Sequence, residues 1–242
     1  MKIEQQIVSE VAAAMERERR INLHNFPVRL EFDAGVLTMD GDVEHIMSKK
    51  RALEVAAAVS GVERIVDRLR LVPSVRMQDG EIRVHVCNSL LTESLLGDCA
   101  IWAIVKGEPE VVRETNQDVD GSIDVEVNNG IVVLNGVVAG LTAKRLAGVL
   151  AWWVPGSRDV INGIEVVPSP QDDNDDEVVD TVRLVLEKDP FINASQIKVG
   201  CSNYSVTLEG LVKKEIQKQM AEADAWYVFR VDGVTNRLLV EE

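Results

Sequence analysis

Residues 28–43 read VRLEFDAGVLTMDGDV, and two later stretches repeat that design without a gap: IDVEVNNGIVVLNGVV at 123–138 and IKVGCSNYSVTLEGLV at 197–212. Each opens with apolar side chains at alternate positions: Val28, Leu30 and Phe32, then Ile123, Val125 and Val127, then Ile197, Val199 and Cys201. A period of two marks a strand with one buried face. A turn follows in each copy, and Asn129-Gly130 in the second supplies the positive backbone φ that a tight hairpin needs. The second strand of each pair runs to Gly41, Gly136 or Gly210. A glycine there predicts a bend or a close backbone approach.

Beyond each pair the period changes to that of a helix. Ala52, Val55, Ala56 and Val59 recur at helical spacing, with Gly61 following where a helix C-terminus favours glycine. Ala147, Leu150, Ala151, Val154 and Gly156 occupy the same register, and VINGIEVVP parallels IVDRLRLVP as a last strand. In the third copy, three extra residues precede Gly233 before NRLLV restores that strand. An amphipathic helix precedes every copy: Ile3 to about Arg19, Gly80 to about Leu96, and Glu177 to Lys188. The repeat is therefore α-β-β-α-β. A right-handed crossover makes the last strand parallel to the one before it, so the sequence predicts an α+β protein of three tandem modules. Each is expected to hold a three-stranded mixed sheet with two helices on one face.

Punctuation sets the expected boundaries at 1–74, 75–170 and 171–242. Pro73-Ser74 closes the first module, and Pro168-Ser169-Pro170 with the run DDNDDE separates the second from the third. Strand offsets between copies are 95 and 74, so module two carries 21 additional residues, placed at about 99–122 and left without an assigned structure. Loops of such length are commonly functional or disordered.

The stretches GVLTMDGDV and KKRALEVAAAVSGVERIVDRLRLV, with their counterparts around Gly136 and Gly210, resemble the BON domain, named for a bacterial osmotically induced periplasmic protein and nodulation proteins. That resemblance implies a binding role in envelope or osmotic stress. It also implies contact with a phospholipid surface; a protein partner is the other contact expected, and because no GxSxG, HExxH, P-loop or dinucleotide-binding glycine pattern occurs, neither catalysis nor a cofactor is expected. Potassium binding by some cytoplasmic BON proteins implies an alternative, a small-ligand or ion sensor whose modules rearrange on binding.

Composition narrows these choices. A formal net charge of -14 opposes nucleic acid and anionic lipid headgroups. Membrane contact would have to rest on aromatic insertion rather than charge. Adjacent Lys49, Lys50 and Arg51 are the one local cationic cluster, read as a solvated helix face. Cys87, Cys99 and Cys201 form no CxxC pair and suggest a reducing compartment. The N-terminal residues lack the pattern of a signal peptide. The location expected is cytoplasmic, or periplasmic if a leader has been removed. The apolar run AIWAIV at 100–105 is far too short for a membrane span.

Motifs of chemistry are weak. Asn116, Asp118, Asp120 and Gly121 match the first half of an EF-hand loop, yet Val127 stands where the closing glutamate belongs, so an ordinary acidic turn is expected. DDNDDE is expected to be a solvated linker favouring the next helix start. His85 and Cys87 point apart on a helix, His24 and His45 lie in no ligand spacing, and no metal site is expected.

Two stretches remain: AWWVPG at 151–156 and AWYV at 225–228. At helical spacing, Trp152 falls about 150° and Trp153 about 110° from the core direction that Ala147, Leu150, Ala151 and Val154 share. Leu146 and Val149 share that outer half, and Trp226, Tyr227 and Met220 take the equivalent places in module three. Module one has Ala57 and Ala58 there. These aromatic faces are candidate contact surfaces, either between modules two and three or toward an external partner.

Overall fold

The computed structural model describes residues 2–115, 121–167 and 173–241. It forms two compact units, Met1–Val72 and Pro73–Glu242. In the first, α1 (Lys2–Arg17) precedes the hairpin β1 (Arg29–Asp33) and β2 (Val36–Val43), and α2 (Ile46–Ala57) crosses to β3 (Arg64–Leu71). β1 is antiparallel to β2 and β3 is parallel to it, in the order β1-β2-β3. Both helices pack on this sheet and on each other. The alternation of Leu37 and Met39 puts them in the core with Val11 and Met15 of α1 and Ala52 and Ala56 of α2, all fully buried.

The second unit holds two further copies. The first comprises α3 (Asp79–Thr92), β4 (Cys99–Val105), β5 (Glu108–Arg113), β6 (Gly121–Asn128), β7 (Ile131–Val138), α4 (Leu141–Trp152), β8 (Asp159–Asn162) and β9 (Glu165–Val166). The next comprises α5 (Asp175–Lys188), β10 (Ile197–Ser202), β11 (Ser205–Val212), α6 (Glu215–Tyr227) and β12 (Gly233–Val240). Its sheet has the three-stranded order β10-β11-β12, with the same antiparallel and parallel pairings as module one.

Module two departs from the three-stranded expectation. Its sheet has six strands in the order β5-β4-β6-β7-β8, with β9 also paired to β7. The insertion supplies the added strands. CAIWAIV and EPEVVR form a hairpin turned at Lys106-Gly107, both at positive φ, and β4 lies parallel to β6 on the edge that the other modules leave free. Arg113 secures it by donating from Nε to the Cys99 carbonyl at 2.9 Å and from Nη2 to the Leu96 carbonyl. The last strand of this module is divided because Gly163 donates its N–H to Leu134 O at 2.7 Å between β8 and β9. Among the described residues, no helix is long and apolar enough to cross a membrane.

Candidate functional site

The most elaborate side-chain arrangement lies where module two meets module three. α4 is apolar on more than one face, and it packs on its own sheet and α3 as well as on α5 and α6. Leu146 and Val149 are fully buried. The Trp152 ring stacks on Tyr227 with centroids 5.6 Å apart, and the Trp153 indole N–H donates to Asp224 Oδ1 at 2.9 Å. Trp226 is buried and Met220 half-buried. All seven predicted contact residues are buried or half-buried: Leu146, Val149 and Trp152 on α4, Trp153 at its C-terminal cap, and Met220, Trp226 and Tyr227 on α6.

The same seam carries charges that the aromatic pattern does not reveal. Arg145 is 0% exposed; its Nη2 pairs with Asp173 at 2.5 Å and its Nε donates to the Phe229 carbonyl at 3.2 Å. Lys188 of α5 pairs with Glu93 at the end of α3 at 2.8 Å. Burial opposes ionisation of Glu93, but Lys188 and the Leu95 N–H outweigh it and hold the carboxyl below its ordinary range. Asp224 behaves oppositely: it is 4% exposed, and burial, reinforced by the neighbouring Asp189 carboxyl, pushes it up to about 8 despite the Trp153 donor. Two carboxyls in one dry place hold a shared proton more readily than two charges. A charge that runs directly into an apolar stretch, Arg145 before LAGVLAW or Asp224 before AWYV, is the sequence signal for such a buried partner.

Two devices recur between modules. Asp79 accepts from the backbone N–H groups of Asn129 and Gly130, and Asp175 from those of Asn203 and Tyr204, at 2.8 to 2.9 Å. Each carboxylate at a helix start thereby holds a left-handed hairpin turn. Asp67, Asn162 and Asn236 share one column of the repeat. Asn162 and Asn236 donate to the carbonyls of Lys144 and Lys218, while in module one Asp67 pairs instead with the ammonium of the buried Lys49 at 2.9 Å. The alignment of DRLRLV, NGIEVV and NRLLV holds this column in plain view.

The glycine column has a steric cause. Gly41, Gly136 and Gly210 take φ of 154°, 117° and 134°, and a Cβ there would strike Pro27 O just before β1, Ser122 O of β6 and Gln196 O just before β10. Gly61 lies against Ile7, Gly156 against Met77 and Ile82, and Gly233 against Ser205.

Nothing described gathers into a catalytic constellation. His85 is exposed while Cys87 is buried, and burial raises that thiol to about 11. Cys201 donates to Asp175 at 3.2 Å, and burial with that carboxylate pushes it up to about 12. Thiols so shifted are poor nucleophiles. Among the described residues, no group of three or more His, Cys, Asp and Glu is placed to hold a metal ion. Asn116, Asp118 and Asp120 lie outside the described residues. The run DDNDDE leads into α5, where Asn174 caps the helix by accepting from the Asp176 and Glu177 N–H groups.

Residues 3–73, 110–168 and 174–242 each match the BON domain. The chain belongs to the BON domain family. The second match begins inside β5, so α3 and β4 fall outside it. No curated protein matches the chain. Two solved structures of CdsD, described as a structural protein of the type III secretion system of Chlamydia trachomatis, match at 13% and 15% identity. They cover 98% of this chain and 98% and 94% of theirs, with TM-scores of 0.26 and 0.24, and at those values the likeness carries no argument about this BON protein.

Proposed function

We propose that this tandem BON protein is a non-enzymatic binding and scaffolding unit, linked to envelope or osmotic stress, that engages a protein partner rather than an anionic lipid surface. One observation carries the reading: the aromatic face of α4 is covered from within the chain, by Tyr227 and Asp224 of α6. Indoles used in this way join modules and are withdrawn from bilayer insertion. With a formal net charge of -14, the chain gains nothing from anionic headgroups. The buried thiols and the scattered histidines supply no nucleophile or base, which supports a role in binding rather than turnover.

The test is affinity capture from the native lysate alongside co-sedimentation with phosphatidylglycerol vesicles and a thermal-shift panel of K⁺, Na⁺ and Ca²⁺. The expected result is a retained protein, no vesicle binding, and no shift specific to one ion. Sedimentation with vesicles, or stabilisation by K⁺ alone at constant ionic strength, would replace this reading with the lipid or ion-sensor role.

A further inference from the structure

Helices cover one face of each sheet, and the three opposite faces differ. In module one that face is crossed by Arg29, which pairs with Glu31 and Asp40 at 3.5 and 3.3 Å. In module three Glu209 pairs with Lys198 and Arg237, and the apolar side chains on that face are confined to the strand ends, where Leu211 and Leu239 stand abreast. Module two breaks the pattern. At the positions where β2 has Thr38 and Asp42, β7 has Val133 and Val137. β4 reads CAIWAIV and β7 begins IVVL, apolar on both alternations. Strands with that pattern are normally covered on both faces.

The register assembles these side chains into rows. Val111, Trp102 and Asp124 stand abreast across β5, β4 and β6, and Ile104, Glu126, Val133 and Ile161 across β4, β6, β7 and β8. Val111 and Ile161 are 52% and 50% exposed, so the rows open to solvent. The only basic side chain in these six strands is Arg113, already committed to the Cys99 and Leu96 carbonyls. Among the described residues, Asp124 has no hydrogen-bond or ion-pair partner, and burial alone raises its carboxyl. From β5 to β8 the face spans roughly 19 Å at normal strand spacing, wide enough for one helix of about 10 Å diameter.

We propose that this open face of module two docks an amphipathic protein segment whose apolar stripe is flanked by Lys or Arg. The apolar rows seat the stripe, and Asp124 and Glu126 receive the cations. The same two carboxylates, within a strongly acidic chain, disfavour anionic lipid and a second copy of the chain. This proposal deepens the binding role above and rests on it.

The experiment titrates the full chain into a fluorescent amphipathic Leu/Lys peptide, with a Leu/Glu peptide of the same pattern as control. Val133→Thr with Val137→Asp installs module one's own residues, so the sheet is expected to persist, which circular dichroism checks. Asp124→Asn with Glu126→Gln tests the charge. The expected result is salt-sensitive binding of the Leu/Lys peptide alone, weakened about tenfold or more by either pair of changes. Equal binding by the V133T/V137D chain would overturn the proposal, as would equal binding of the Leu/Glu peptide. Concentration-dependent dimerisation abolished by V133T/V137D would assign the face to a second copy instead. If lysate capture retains a partner that the V133T/V137D chain retains equally, this face is refuted while the binding role stands; if neither chain retains a partner, the binding role itself fails.

Discussion

Gly136 and its two counterparts combine a backbone conformation that L-residues avoid with a carbonyl pressed against the missing Cβ. Gly136→Ala is expected to cost about 2 kcal/mol or more, read as a fall in the urea midpoint of the second unit. Asp224 gives a pH signature. An unfolded aspartate titrates near 4, about 3.9, whereas folded Asp224 is raised to about 8. Between these values the folded state holds a proton that the unfolded chain has lost. The contribution is therefore whole below about pH 4, declines as pH rises, and is gone above about pH 8. Glu93, held low, acts with the opposite sign: its contribution is present above the unfolded carboxyl range and is lost on acidification. Urea titrations of the full chain and of Asp224→Asn, compared from about pH 2.5 to 9, separate the two. The variant is expected to lose the alkaline decline and keep the acid one.

At the level of elements, the repeat was legible because alternation, a turn and a glycine recur at fixed spacing, and those features are local. The inserted hairpin was not. CAIWAIV is apolar on both alternations, so it carries no period of two, and its partner EPEVVR has a proline and charges that read as loop. Its place in the sheet comes from pairing with β6, a contact that no single segment encodes. The contact surface was legible in part. Helical spacing separates the two faces of α4, yet nothing in a linear pattern brings Arg145 to Asp173 or Asp224 to Asp189. Arg113 is the anchor of the inserted hairpin. Arg113→Met keeps the stem and removes donors to the Cys99 and Leu96 carbonyls. The expected loss is about 2 to 3 kcal/mol, with amide exchange accelerated in β4 and β5 before the rest of the sheet.

Across the whole molecule, three similar modules are organised as two compact units, Met1–Val72 and Pro73–Glu242. The asymmetry follows from side chains. Module one has Ala57 and Ala58 where its sisters have the aromatic pairs, so the device joining modules two and three is absent from it. Joining those modules uses the indoles and leaves the widened sheet of module two with an apolar face uncovered, Val111 and Ile161 among its exposed side chains. Native-state hydrogen exchange tests this arrangement most directly, by measuring the opening free energies of α4 and α6 in the full chain and in Trp153→Phe, which loses the donor to Asp224. Opening energies that agree within about 0.5 kcal/mol and fall together in the variant are the predicted result. Unequal energies, with α6 unaffected by the change in α4, would contradict it.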